Sequence, residues 1–292
     1  MKRILFIIFL TTTLISCSSK LTKNNDDFVI IGSFNIEWLG DGINDQKVRN
    51  ESDYKRIAEV IENTDADVLG LEEVENKAAL QKVMKYLPEY NFILGNTGTQ
   101  QNPAIVYKKN VEVKFIQNYD KLVVKENRTR AGLVASVKKG NFDWIMMVVH
   151  LKSTSRYDST EALRIESYEL RKKQAEILKN WADSIVTNTK EQDIIIVGDF
   201  NDNPKRHKTQ NMLPLVEDNN MTFLTQDLIS CKNPRWDMID HIVVNNSAKK
   251  RFQLNSLFIY NIYNAYSKYD VENISDHCPI VCSFEIISPD ND

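Results

Sequence analysis

The residues of this 292-residue chain that are equipped for chemistry sit at the ends of apolar runs. The clearest case is the stretch 193–201, DIIIVGDFN. Ile194, Ile195, Ile196 and Val197 suit a strand buried on both faces. Gly198 breaks it, and Asp199 and Asn201 follow with Phe200 between them. If strand geometry persists past the glycine, side chains two apart share a face, so the carboxylate and the amide point the same way. Similar groups border other apolar runs: Asn35, Glu73, Tyr107, His150, Asp240 with His241, and Asp276 with His277. Glu73, Asn35 and Asp276 are hard oxygen donors suited to Mg²⁺ or Mn²⁺, and no soft-ligand spacing competes with them. Two histidines and several carboxylates can orient a water and neutralise a phosphoryl group. Hydrolysis of a phosphate ester needs those parts: a positioned nucleophile, a divalent cation and donors to the developing charge.

A layered sheet would bring these groups to one edge, where strand ends hold a site more rigidly than loops do. The pattern supplies the strands. Residues 28–34 (FVIIGSF) read as a buried strand ending at Asn35, and 67–71 as a second ending at Glu72-Glu73. A third short strand, 104–107, is expected to hairpin back through 111–116. Residues 133–137 and 144–149 pair around Lys139-Gly140-Asn141, the latter ending at His150; 239–244 and 279–287 are the last strands. One helix is capped by Ser52 or Asp53 and buries Ile57, Ala58, Val60 and Ile61. A second covers 76–87. The longest runs over about 160–186, where Leu170, Ile177, Leu178, Trp181 and Ile185 keep a 3–4 rhythm. Many strands and few helices in mixed order argue for sheets packed together and covered by helices. No repeat, low-complexity block or long linker divides the chain, which reads as one domain over 27–288.

Composition, 42% hydrophobic and 26% charged, is that of an ordinary globular protein. The formal net charge of −3 gives no overall basic field, so attraction of a polyanion would need a local patch. Lys2 and Arg3 precede the apolar run 4–10, a Thr-rich stretch and Leu14-Ile15-Ser16-Cys17. This describes a secretory signal over 1–16, too short to remain as a spanning helix. The Cys after LIS resembles the bacterial lipoprotein box, though Ile15 stands where a small residue is usual, so Cys17 is the expected lipidated first residue, with 17–26 as a flexible tether. Export to the cell envelope and a membrane anchor follow, and a monomer is expected. Cys278 and Cys282, four apart in an apparent strand, lie roughly 13 Å from each other, too far to bond. With Cys231 they make an odd count and are read as free, mostly buried thiols.

These residues together resemble the endonuclease/exonuclease/phosphatase superfamily, metal-dependent phosphoesterases that include pancreatic-type deoxyribonuclease and the apurinic-site endonucleases. The motifs stand in order: SFNIEWLG at 33–40, LGLEEV at 69–74, AIVY at 104–107, RTRAGL at 128–133, VVHLKS at 148–153, VGDFN at 197–201, IDHI at 239–242 and SDHCP at 275–279. The resemblance implies an α+β fold, a four-layer α/β/β/α sandwich of two packed mixed sheets. It implies Glu73 as principal metal ligand, supported by Asn35 and Asp276, with Glu72 facing away. Asp199 would orient or deprotonate water, Asn201 holding the same oxygens. His277 would act on the phosphate or nucleophile side, oriented by Asp240. His150 would serve the leaving group or bind phosphate, and Tyr107, Arg130 and Lys152 match phosphate-side contacts. His241 reads as structural, and the R-x-x-Q pair Arg171 and Gln174 as packing.

HLKS after the long strand is similar to secreted bacterial nucleases of the superfamily. The loop after GDFN carries Lys205, Arg206, His207 and Lys208, which could contact a phosphate backbone. Where pancreatic-type deoxyribonuclease has an Arg two residues after the metal Glu, this chain has Glu75, which weighs against duplex nicking in that enzyme's manner. The expectation is a lipid-anchored, Mg²⁺- or Mn²⁺-dependent phosphodiesterase acting on nucleic acid, DNA before RNA. The alternatives are a lipid- or sugar-phosphate hydrolase of the same fold, or a non-catalytic binding lipoprotein. The aromatic-rich stretch 254–266 reads as core strand rather than a stacking platform.

Overall fold

The computed structural model describes residues 27–292 apart from 218, 219 and 291; the signal segment, Cys17 and the tether lie outside the described residues. Twelve strands make two six-stranded sheets. The first holds β1 (Phe28–Leu39), β2 (Val68–Val74), β3 (Tyr90–Leu94), β4 (Asn102–Lys108), β11 (Phe258–Ile259) and β12 (Ile280–Glu285). Their spatial order is β11-β12-β1-β2-β4-β3. The second holds β5 (Glu112–Tyr119), β6 (Gly132–Lys139), β7 (Phe142–His150), β8 (Ile194–Asp199), β9 (Met221–Phe223) and β10 (Asp240–Asn245), in the order β5-β6-β7-β8-β10-β9. The helices are α1 (Glu51–Asn63), α2 (Lys77–Met84), α3 (Glu161–Asn188), α4 (Leu213–Val216), α5 (Asn246–Lys249), α6 (Ile262–Ala265) and α7 (Lys268–Ile274).

The unbroken apolar runs exist because each central strand faces two cores. On β8, Ile195 and Val197 join Ile31, Val68 and Val148 between the sheets. Ile194 and Ile196 point the other way, onto Leu178 and Trp181 of α3. On the outer face of the first sheet, Phe34, Leu69 and Leu71 pack under Ile57 of α1, Leu80 of α2 and Val271 of α7. Each such aliphatic side chain contributes about 1.5–3 kcal/mol on burial. The sheets approach closely at Gly70, where a Cβ would come 2.6 Å from Val197. The result is the α+β, four-layer α/β/β/α sandwich that the motifs imply.

Local details differ from the sequence reading. The cap of α1 is Asn50, which forms a reciprocal capping box with Asp53. Residues 112–119 do not hairpin back on β4; β5 pairs with β6 in the other sheet, so the chain crosses between sheets after β4. Only two residues of 254–266 are strand, and Tyr260, Tyr263 and Tyr266 pack half-buried against the outer core of the first sheet. The cysteines are not all free. Cys231 and Cys278 form a disulfide across 47 residues with Cα atoms 6.3 Å apart, and among the described residues Cys282 alone is a free, buried thiol. Sequence distance along one strand had tested only the pair 278 and 282; the loop before β10 supplies the true partner.

His241 is structural, as expected. Its ring meets Phe200 and Phe223 edge-on, with Nε2 2.9 Å from the Asp202 carbonyl and Nδ1 2.8 Å from Thr225 Oγ1. A carbonyl only accepts, so Nε2 carries the proton and Nδ1 accepts from the threonine hydroxyl. Burial pushes this imidazole down to about 4 from its ordinary 6.5. The unfolded chain therefore binds a proton in that window that the native state refuses, so stability present above pH 6.5 falls as pH drops toward 4. The loss should reach about 3 kcal/mol. Urea unfolding of wild type and His241→Gln at pH 7 and pH 4 tests this: the variant should lose less stability on acidification, and equal losses would reject the assignment.

Candidate active site

Strand direction decides which residues meet. β1 and β2 run parallel, as do β7 and β8, and their C-terminal ends deliver Asn35, Glu73, His150 and Asp199 to one edge. β4, β10 and β12 run antiparallel to these neighbours, as β6 does to β7, so they contribute from their starts. Asp240 opens β10 opposite Asp199, His277 precedes β12, and Arg130 precedes β6.

Tyr107 is excluded by the same rule. It closes the antiparallel strand β4, opposite Val68 at the far end of β2, and packs into the inter-sheet core. The polar group at this edge from the start of β4 is Gln101, the residue just before the strand, bonded to Arg130, which the sequence reading missed. The signal was there: the start of an antiparallel strand lies where its parallel neighbours end.

Two backbone devices aim the side chains. The register of β2 against β4 slips between Leu71 and Val74, and Glu73 sits at φ 65°. That left-handed conformation costs an L-residue about 1–2 kcal/mol. It turns adjacent glutamates apart: Glu72 into the interior, where Ser33 Oγ donates to it at 2.8 Å, and Glu73 into the cavity, where the Trp38 N–H donates at 3.2 Å. The second device follows β8. Gly198, at φ 145°, leaves no room for a Cβ, which would lie 1.9 Å from the Val149 oxygen. Strand geometry ends one residue later, at Asp199. Asn201, at φ 53°, turns back to donate its N–H to Asp199 Oδ1 at 2.7 Å and its side-chain amide to the Leu151 carbonyl at 3.1 Å. The expected convergence is met by a turn instead of the strand period.

Contacts then bridge the sheets. Asn35 Nδ2 lies 3.2 Å from Asp199 Oδ2 and 3.3 Å from Glu73 Oε1. His277 Nδ1 donates to Asp240 at 2.9 Å, leaving Nε2 3.9 Å from Asp199 and 3.6 Å from Asp276. His150 Nε2 stands 3.6 Å from Asp199 and 3.9 Å from Glu73. A cavity of about 550 Å³ opens over these groups, lined also by Arg130, Lys152 and Asn201, a size usual for small-ligand sites. Asp276 reaches its rim, held by Lys232 at 2.9 Å. Glu75 is outside it, accepting from the Asp41 N–H and Gln100. Arg171 and Gln174 do more than pack: Arg171 donates to the Lys152 carbonyl at 2.6 Å, and Gln174 accepts from the Lys152 N–H at 2.9 Å. They hold the strand end that carries Lys152.

Burial and mutual charge separate the protonation states. Burial opposes charging His277, but the carboxylates of Asp240, Asp199 and Asp276 outweigh it and hold this imidazole well above its usual range. Burial, joined by Arg130, His277 and Lys152, holds His150 well below. Asp199 is pushed up to about 7 by burial, with Asp240 and Glu73 adding repulsion and His277 opposing. Glu72 is raised well above the carboxylate range, chiefly by burial. One histidine is thus a cation and the other neutral, within one cavity.

The donor set fits a small divalent cation. Among the described residues, Asp199, Asp240 and His277 bring ligand atoms within 4.8 Å of one another, but His277 Nδ1 is committed to Asp240. Glu73 keeps hard oxygens at the cavity face; the Asn35 oxygen accepts from the Glu37 N–H at 3.0 Å, while its amide nitrogen lies between the Glu73 and Asp199 carboxylates, a place where positive charge is wanted. Glu72 offers a test of the electrostatics. An acid whose native pKa is raised weakens the fold as pH climbs above its unfolded value. Glu72→Gln keeps an acceptor for Ser33 and removes that penalty. It should raise the melting temperature by several degrees at pH 8 and much less at pH 4; a gain independent of pH would contradict the buried-acid reading.

The endonuclease/exonuclease/phosphatase family model matches residues 32–277. No curated protein matches the chain. Among solved structures, TDP2 from Caenorhabditis elegans is 17% identical over 88% of this chain and 74% of that one, with a TM-score of 0.63. D. rerio TDP2 complexed with single strand DNA product is 19% identical over 89% and 100%, TM-score 0.63. A Bacteroides thetaiotaomicron mannosyl-6-phosphatase is 16% identical over 87% and 98%, TM-score 0.60. A family match across most of the chain, on a fold whose single edge gathers this set of acids, histidines and cations, leads to one conclusion: the chain belongs to the endonuclease/exonuclease/phosphatase family.

Proposed function

We propose that the chain is a divalent-metal-dependent phosphodiesterase that hydrolyses nucleic acid, DNA in preference to RNA, as an exported, lipid-anchored monomer. The observation that carries the chemistry is the pairing of a cationic His277, fixed by Asp240, with a buried Asp199 carboxylate 3.9 Å from its free nitrogen. Both face a cavity with Arg130 and Lys152 on its wall. Mg²⁺ or Mn²⁺ held by Glu73 and Asn35, with Asp276 at the rim, would supply positive charge to the phosphoryl oxygens. Arg130 and Lys152 bind the phosphate. Asp199, oriented by the Asn201 N–H and the Asn35 amide, holds a water for attack on phosphorus and takes its proton. His277 donates to a phosphoryl oxygen as charge accumulates there. Neutral His150, with its Nε2 3.6 Å from the same Asp199 oxygen, is placed to hydrogen-bond the leaving oxygen as the P–O bond breaks.

Nucleic acid as substrate is supported by the likeness to a TDP2 structure holding a single-strand DNA product and by the basic loop after GDFN. A sugar-phosphate hydrolase is the second reading, favoured by the likeness to the mannosyl-6-phosphatase.

With Mg²⁺ or Mn²⁺ present, single-stranded DNA, plasmid, RNA, sphingomyelin, inositol phosphates and mannose 6-phosphate are compared side by side. Polynucleotide cleavage should dominate, cease with EDTA, and fall about 10²–10⁴-fold in Asp199→Ala or His277→Ala. Turnover confined to a sugar or lipid phosphate would transfer the assignment to the second reading. Export rests on the N-terminal motif: Cys17→Ser should move the protein from the membrane to the soluble fraction, and undiminished retention would remove the anchor.

A further inference from the structure

A second cavity, about 620 Å³, adjoins the catalytic one, and Asn201 lines both. Its wall includes Tyr168 and Arg171 of α3 and, from the loop after β8, Arg206, His207 and Lys208. The structure divides that basic loop. Lys205 turns away to pair with Asp227 at 2.5 Å. Lys208 lines the cavity and makes no ion pair among the described residues. Among the described residues Arg206 has only a long ion-pair contact, to Asp202 at 3.5 Å. The charge of Asp202 is already met within the fold by Arg171 at 3.2 Å and by the Asn211 amide at 2.6 Å. The cavity therefore presents net positive charge at its mouth. Its aromatic wall is fixed, since the Arg171 guanidinium sits over the Tyr168 ring, 5.5 Å from its centroid.

We propose that this cavity is a second subsite, which takes the next phosphate and nucleoside of a single-stranded polynucleotide whose neighbouring diester lies over Asp199. This rests on the nucleic-acid reading above and narrows it. A strand running past Asn201 places a phosphate beside the one being cut, with a base between them for Tyr168 to contact. Cations that track the backbone beside an aromatic wall are the recurring means of holding a single strand. A sugar monophosphate has no second phosphate to offer and would leave Arg206 and Lys208 without a partner.

The test is binding, kept separate from turnover. The mature lipoprotein in detergent, in EDTA, is titrated into a short labelled single-stranded oligonucleotide at several salt concentrations, and anisotropy gives the slope of log K against log salt. Each phosphate contact on a single strand contributes about 0.7 to that slope. Arg206→Gln combined with Lys208→Gln should therefore make it shallower by about 1.4 and weaken binding, whereas Lys205→Gln should leave it as in wild type. No measurable binding by wild type, an unaltered slope in the double variant, or an equal effect from Lys205→Gln would each overturn the subsite. Cleavage assays with Mg²⁺ report independently. A strand bound with the expected slope but never cut would refute the hydrolase and spare the subsite; a strand cut with the slope unchanged would do the reverse.

Discussion

The hydrogen bond from His277 to Asp240 joins the two sheets, and the rest of the site depends on it. Asp240 opens a strand of one sheet and His277 precedes a strand of the other, so neither sheet alone contains a working pair. Asn35 repeats the link between Asp199 and Glu73. The inter-sheet core is thus more than a source of stability. Close packing of side chains such as Val148 and Val197, and the missing Cβ of Gly70, set the separation at which those polar contacts form. A core substitution far from the edge would be felt there as a displacement of tenths of an ångström.

Crowding four carboxylates at one seam is unfavourable, and the fold answers each differently. Asp240 is matched by a cationic histidine, and Glu72 keeps its proton against Ser33. Asp199 is left partly frustrated, the state in which a carboxylate is most useful as an acceptor. Glu73 is turned to the cavity by a strained backbone, as is Asn201. Strain of this kind gathers at functional positions because surrounding contacts over-determine them.

Much of this was legible in the chain. The apolar runs and the groups that border them gave the strands and nearly all the edge residues, because strand termini leave strong local signals. What failed depended on direction and partnership. Tyr107 looked like its fellows until the antiparallel sense of β4 sent it to the far end, and Gln101 was overlooked for the same reason. The segment 112–119 has a strand's composition, but nothing local says which sheet it joins. Asn201 reached the expected place by a turn that an alternating pattern does not encode. The basic loop was visible, yet only side-chain pairing separates Lys205 from Arg206 and Lys208.

The bridge between Cys231 and Cys278 has its own bearing on where the molecule is complete. It fastens the loop carrying Lys232 to the residue immediately after His277, so one anchor of the site is a bond that forms only under oxidising conditions. During synthesis in a reducing cytosol that anchor would be absent, and the loop before β10 would be tethered by weaker contacts alone. A hydrolase built this way would hold the approach to its cationic histidine less firmly until the bridge had closed. Oxidation would act as a latch on the shape of the site.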